Sequence, residues 1–336
     1  MAADIDSSTA KAAKHDGDHS SRPLSFFIAV GIFAGLALPI YASVGGDQYI
    51  LLVGSRVMTL ATVAISLAFL LGNAGIISLG HAVFLGIGMY AVAIPARHGI
   101  DNGFVHLLTA IFVTAAFAFV TGLVALRTTG IFFMMITLAF AQMVYYFFSG
   151  LRMYGADDGL PVARKSHFPG GLDLANPSTL YWASFIFLVA CVFGLSWLSR
   201  SYYGRALLGG KLNDVRMRAL GVDLFVYRLA AYTLAGAMTG VSGFLFANVT
   251  GIATPSFMTW QRSADFLIMV ALGGLGNLLG SIGGAFVILG LEGLLPKLFS
   301  HWEIAMGVVL IGIGFLSRRQ PRAWFLRMLS HSSGRR

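Results

Sequence analysis

The chain has 336 residues, of which 57% are apolar and only 11% charged, and its mean hydropathy is +0.78. A soluble domain carries about 25% charged residues, so there are too few charges here to cover an aqueous surface; a cytosolic enzyme, a secreted disulfide scaffold and a disordered regulator are excluded. The net charge of +9 is accounted for by its placement, and the single cysteine, Cys191, allows no intrachain disulfide.

In chain order, residues 1–23 are polar, with Asp4, Asp6, Asp16 and Asp18 set against Lys11, Lys14 and Arg22, and read as a disordered tail. A signal peptide opens on a short basic stretch. This stretch is long and acidic, so Leu24–Tyr41 is expected to be a retained helix. Apolar spans follow at about 24–41, 49–71, 79–96, 104–126, 131–149, 179–198, 226–250, 262–280, 282–298 and 302–317. Each is near the ~20 residues that cross ~30 Å of hydrocarbon. The expected fold is all-α, a polytopic bundle of about ten transmembrane helices over 24–317. The spans 79–96 and 282–298 are glycine-rich and are candidates for re-entrant or broken helices, which need protein or a wet cavity around them.

Charge placement orients the bundle. The segment 199–228 carries Arg200, Arg205, Lys211, Arg216, Arg218 and Arg228, and the tail 318–336 carries Arg318, Arg319, Arg322, Arg327, Arg335 and Arg336. Together they hold more than half of the 23 basic residues, which predicts that both are cytoplasmic. The segment 150–178 sets Arg152, Arg164 and Lys165 against Asp157, Asp158 and Asp173 and is expected outside. Ten spans with both termini inside satisfy all three assignments. The positive charge then serves orientation and anionic headgroups, not nucleic acid.

Gly204–Leu212 loosely imitates a phosphate loop, but Arg205 stands where the first glycine belongs and Leu212 where Ser or Thr belongs. Any ATP is therefore expected on a partner. Within 199–225, Lys211–Leu220 reads as a short helix capped by Gly221. Leu212, Val215, Met217 and Leu220 give it an apolar side, and Asp214, Arg216 and Arg218 a polar one. Such a helix either docks in a groove of a soluble partner or lies on lipid headgroups.

Ionisable residues inside spans are costly and mark function or pairing. Glu292, His81 and Arg56 are such residues; Arg262 and Asp265, three apart, can pair with each other. No series of Asp, Glu and His runs through the spans, which argues against an ion-coupled secondary transporter. No paired base and nucleophile and no metal-ligand cluster supports a membrane enzyme. Glycines are dense in Leu71–Gly88 and Gly273–Gly290, each containing Gly-Asn; such segments either pack closely or line a pathway.

The run Gly72-Asn73-Ala74-Gly75-Ile76-Ile77-Ser78-Leu79-Gly80-His81-Ala82 resembles the G-x-x-G-x-x-S-L-G-H-A motif of membrane subunits of Liv-type branched-chain amino-acid ABC importers. Arg127–Ala139 is similar to that family's R-x-x-G-x-Y/F-F-A-M-x-T-L-A segment, and Asp158-Gly159-Leu160 to the end of its T-G-G-x-D-G-L loop. Gly204-Arg205, Asn213-Asp214 and Ala219–Asp223 resemble its cytoplasmic coupling loop, and Leu272–Asn277 its L-G-G-x-G-[ST] stretch. The matches run in family order from about residue 50 to 300. Tyr154-Gly155-Ala156 departs from T-G-G, Gly209–Leu212 from A-I-R-E, and the tail from a final P-R-G.

The resemblance implies a type II-like permease subunit in the inner membrane. Its partners would be a second homologous permease, two ATP-binding subunits that use ATP and Mg, and a soluble binding protein. This chain would bind no cofactor or metal and would not itself be an enzyme. The solute implied is a branched-chain or related amino acid, with urea or short amides as the alternative. Asn73, Ser78, His81, Thr137 and Gln142 are expected along the pathway or its gate. Gly204, Arg205, Leu212, Asn213, Asp214, Val215 and Gly221 are expected to couple to the ATPase, and Asp157, Asp158 and Gly159 to form an external docking loop.

Overall fold

A computed structural model describes residues 48–168, 172–298, 301, 304 and 306–308. The tails 1–23 and 318–336 and the expected span 24–41 lie outside the described residues, as does nearly all of 302–317. Among the described residues ten α-helices of known extent follow one another: α1 Gln48–Phe69, α2 His81–Arg97, α3 Gly103–Ala125, α4 Ile131–Gly150, α5 Pro177–Arg200, α6 Tyr202–Leu212, α7 Asp214–Ala219, α8 Leu224–Thr250, α9 Trp260–Gly273 and α10 Leu278–Leu298. Six of them, α1, α3, α4, α5, α8 and α10, are long and apolar enough to cross a membrane, and α2 is a shorter apolar helix.

The boundaries correct the sequence reading in three places. The span expected over 262–280 is two pieces: α9 stops at Gly273, and the chain turns through 274–277 before α10 begins. Gly274 and Gly276 both take positive φ there, which ends a helix at little cost. The span 282–298, expected to be a candidate for breakage, lies in one continuous helix, with Pro296 in its last turn. The helix expected over Lys211–Leu220 divides at Asn213, whose extended backbone (φ −155°, ψ 99°) ends α6 and whose side chain caps α7 by accepting from the Arg216 amide at 3.0 Å.

The helices α1 and α8 form the centre. Both are buried on most sides, while α3, α4 and α5 leave broad apolar faces outward. Phe84 of α2 joins the centre to the perimeter: its ring lies edge-on to Tyr232 of α8 at 5.5 Å and to Phe117 of α3 at 6.1 Å. Gly88 and Gly243 set the closeness of α2 and α8, each turning its open side to the other helix's backbone, the close approach that small residues permit in membranes.

At the end opposite 199–225, 150–178 forms two 3-10 turns, Arg152–Tyr154 and Ala156–Asp158, and the short strands β1 Leu160–Pro161, β2 His167–Phe168 and β3 Leu172–Asp173. The strand β1 pairs antiparallel with β4 Ile252–Ala253, which follows α8, and β2 pairs with β3. The buried Ser166 Oγ lies 2.8 Å from His106 Nδ1, and its amide donates to Asn248 Oδ1 at 2.9 Å, fastening the loop to α3 and α8. Topology is best tested at exposed neighbours instead: Ala163→Cys is expected to react with an impermeant maleimide from outside and Ala219→Cys only after the inner face is opened. Cys191 is buried and gives little background. The same sidedness at both positions would overturn the orientation.

Candidate functional site

The bundle interior is interrupted between α1 and α2. From Leu70 to Ala74 the chain forms a π-helical turn, closed by Gly75 in the left-handed region, and 75–80 are not helical. The helix α2 then starts deep in the bundle. His81 Nε2 lies 2.8 Å from Ser66 Oγ of α1 and 3.0 Å from Thr239 Oγ1 of α8, and Ser66 to Ala74 spans about 12 Å at 1.5 Å per residue. Unwound backbone at such depth needs partners within the protein, and it has them. The Leu79 amide donates to Thr137 Oγ1 at 3.2 Å, the Gly80 amide to Ser78 Oγ at 3.3 Å and the Ala82 amide to Ser263 Oγ at 3.0 Å.

Ser66 Oγ and Thr239 Oγ1 are 2.9 Å apart and also bond back to the carbonyls of Val63 and Ala235 at 2.8 and 2.9 Å. With both hydroxyl protons given to those carbonyls, the Nε2 proton of a neutral His81 serves both oxygens. Its Nδ1 then carries the lone pair, and that atom has no partner among the described residues. This uncharged knot joins three helices. His81→Leu is expected to lower stability by about 1–3 kcal/mol, the cost of a broken buried hydrogen-bond set, measured as the unfolding midpoint in detergent; an unchanged midpoint would assign the knot no structural weight.

The predicted pathway residues therefore separate. Ser78, His81 and Thr137 come together, with Ser66, Thr239 and Ser263 added. Asn73 lies in the π-turn and lines a cavity at the 199–225 end with Ser196, Ser199, Arg200, Gly276 and Asn277. Gln142 follows Thr137 on α4 by a spacing that turns it to another side of the helix at 3.6 residues per turn, and it is only partly buried.

The 199–225 segment is tied to the same interruption. Lys211 Nζ donates to the carbonyls of Leu71 at 3.0 Å and Gly72 at 2.8 Å. Asp214 holds Arg218 at 2.6 Å and Arg228 of α8 at 3.2 Å. Gly204 is buried beneath the Ser201 cap, and Arg205 is exposed. Gly221, at φ +81°, ends α7, its amide donating to Arg218 and that of Val222 to Met217. Tyr203 donates to the Tyr227 carbonyl at 2.6 Å and stacks on that ring; burial, with Tyr227 beside it, raises its pKa. The apolar side is not uniform: Met217 turns inward onto Gly209, whereas Leu212, Val215 and Leu220 are 79%, 77% and 71% exposed.

A third group lies on α1, α9 and α10. Glu292 Oε1 is 3.3 Å from Arg262 Nη1 and 3.8 Å from Arg56 Nη2, and Arg262 also reaches Asp265 at 3.4 Å. On the opposite loop, Asp157 and Asp158 are exposed and Gly159 is buried at φ +83°. Among the described residues no cluster of His, Cys, Asp and Glu could hold a metal ion.

Residues 49–316 match the family of branched-chain amino acid transport system permease components. The chain belongs to that family. This permease is 27% identical over 284 residues to the high-affinity branched-chain amino acid transport system permease protein LivM of Salmonella typhimurium and 26% identical to that of Escherichia coli K12. Each match covers 77% of this chain and 66% of the relative, just under two thirds of its length. It is also 26% identical over 322 residues to the autoinducer 2 import system permease protein LsrC of Enterobacter sp. 638, covering 90% of this chain and 88% of that protein. No solved structure gives a significant match. In this permease, S-L-G-H-A marked one side of the buried knot. Ser66, Thr239 and Ser263 carried no signal, because a hydroxyl in an apolar helix ordinarily bonds its own preceding turn.

Proposed function

We propose that this permease is the membrane-spanning subunit of an ATP-driven importer in the inner membrane, carrying branched-chain or related amino acids. Its partners in this reading are a second homologous permease, two ATP-binding subunits that hydrolyse ATP with Mg, and a soluble binding protein. Residues 24–317 are the transmembrane domain, both termini and 199–225 are cytoplasmic, and 150–178 receives the binding protein with Asp157, Asp158 and Gly159. The observation that carries the reading is the exposure of three apolar side chains, Leu212, Val215 and Leu220, in a segment fixed to the π-turn after α1 by Lys211. Exposed apolar side chains in a basic segment suit a soluble partner, and the Lys211 attachment suits transmission into the bundle.

The family and the LivM relatives favour an amino acid, while the LsrC relative, named for autoinducer 2, makes the solute a matter for measurement. The test is uptake into vesicles holding the assembled subunits. Labelled leucine, isoleucine or valine is expected to accumulate only with ATP and the loaded binding protein. ATP-dependent uptake of urea, a short amide or an autoinducer-type solute instead would change the cargo. Uptake without ATP would replace the importer reading with ion-coupled transport.

A further inference from the structure

At the 199–225 end a cavity of about 210 Å³ opens between α5, the π-turn after α1 and the start of α10. Two turns meet beside it: a Cβ at Gly72 would stand 2.7 Å from the Gly276 Cα. The residues around the cavity are rich in donors and include no carboxylate. Arg200 supplies a guanidinium group, and none of the ion pairs among the described residues includes it. Ser199 Oγ is buried without a hydrogen-bond partner. A hydroxyl in a helix ordinarily bonds the preceding turn, as Ser184 does with the Leu180 carbonyl at 2.8 Å. Asn277 Oδ1 accepts from the Gly280 amide at 3.2 Å, which leaves its NH2 group to donate. The amides of Leu278 and Leu279 open α10 and have no acceptor within that helix.

The depth is that of phospholipid headgroups. The helix α5 has 24 residues, about 36 Å at 1.5 Å per residue, against ~30 Å of hydrocarbon. Arg200, at its end, therefore stands in the headgroup layer. Trp197, nearly one turn earlier and 75% exposed, is of the residue type that collects in that layer. We infer that this cavity binds the phosphate group of an anionic phospholipid, a site beyond the proposed import function. Free phosphate shares the chemistry; the depth and Trp197 favour the lipid. One unbridged phosphate oxygen pair takes the fork of Arg200, with the Asn277 NH2 group and the first amides of α10 on the other side. The Ser199 hydroxyl reaches the same oxygens by a turn about its Cα–Cβ bond and gives up no existing hydrogen bond. A lone positive charge with no carboxylate beside it selects a lipid of net negative charge over a zwitterionic one. In the proposed orientation this is the cytoplasmic leaflet, where anionic lipids gather. An occupied cavity joins α5 to both turns.

The test is lipid retention by the full-length permease in detergent, counted by native mass spectrometry during titration with phosphatidylglycerol, phosphatidylcholine or inorganic phosphate. Phosphatidylglycerol is expected to bind about tenfold more tightly than phosphatidylcholine, and Arg200→Gln to remove about that factor, the worth of one charge-assisted hydrogen bond. Arg200→Lys is expected to retain more than Arg200→Gln, and Ser199→Ala to lose about threefold. Arg216→Gln, which removes another exposed charge at the same end, is expected to change retention by less than about twofold. Displacement of the lipid by inorganic phosphate would support the same cavity with a soluble phosphate as its ligand. Equal losses in Arg200→Gln and Arg216→Gln would reduce the binding to general surface attraction and overturn the site. Should the Arg200 variants not fold, the wild type decides alone: equal retention of phosphatidylglycerol and phosphatidylcholine overturns the inference. Neither result depends on which solute the importer carries.

Discussion

Gly88→Val is expected to leave little folded permease in the membrane. A Cβ at Gly88 would strike the backbone of Gly240 on α8, with that residue's Cα at 3.0 Å, and one at Gly243 would strike the Leu85 carbonyl of α2. Both obstacles are backbone, so no rotamer change relieves them, and α2 must move off α8. That movement opens one of the two most extensive helix contacts among the described residues, and also the hydrogen bonds of His81 to Ser66 and Thr239. Overpacking costs about 1–3 kcal/mol where neighbours can yield; here the upper end is expected. Gly194→Ala on α5 is the control, because no heavy atom of another side chain or helix lies within 4 Å of where its Cβ would stand. The measurement is membrane-fraction yield and unfolding midpoint for both variants. Equal behaviour would mean that the α2–α8 seam is looser than it stands here.

Leu212→Asp and Val215→Asp are expected to abolish coupled transport while the permease still folds and inserts. Both side chains are more than three-quarters exposed in the free chain, so the substitutions disturb nothing within it. Docked in an ATPase groove, each carboxylate would be buried without a partner, at a cost on the order of several kcal/mol. Transport and substrate-stimulated ATP hydrolysis should fall together, and the ATPase should be lost from the purified complex. Undiminished recovery and coupling in both variants would place α7 on the lipid surface instead. Met217→Asp is a contrasting case: that side chain packs on Gly209, so its replacement should destabilise the helix pair itself.

How much of this was legible in the sequence depended on the kind of signal. Long spans such as 104–126 and 131–149 follow from composition, because hydrocarbon thickness fixes their length. The break at 274–277 was hidden, since glycine and leucine suit both a membrane helix and the turn that ends one. Family-like motifs located Ser78, His81 and Thr137, which do meet. They could not show that Gln142 turns aside, because a motif fixes order along the chain and not angular position around a helix. Arg56, Arg262, Asp265 and Glu292 were each conspicuous alone. Their union across α1, α9 and α10 needed the tertiary arrangement, as residues 56 and 292 have no local relation.

The attachment of α6 to α1 has a mechanical consequence. Lys211 holds the carbonyls of Leu71 and Gly72 through a single ammonium nitrogen, and an ammonium group can rotate about its stem without losing its acceptors, unlike the planar fork of arginine. The contact is a swivel. In the proposed importer it would carry displacement from α6 and α7 to the π-turn and release torque, so that the two helices could tilt with an ATPase surface while only the axial part of that motion reached the unwound stretch before His81.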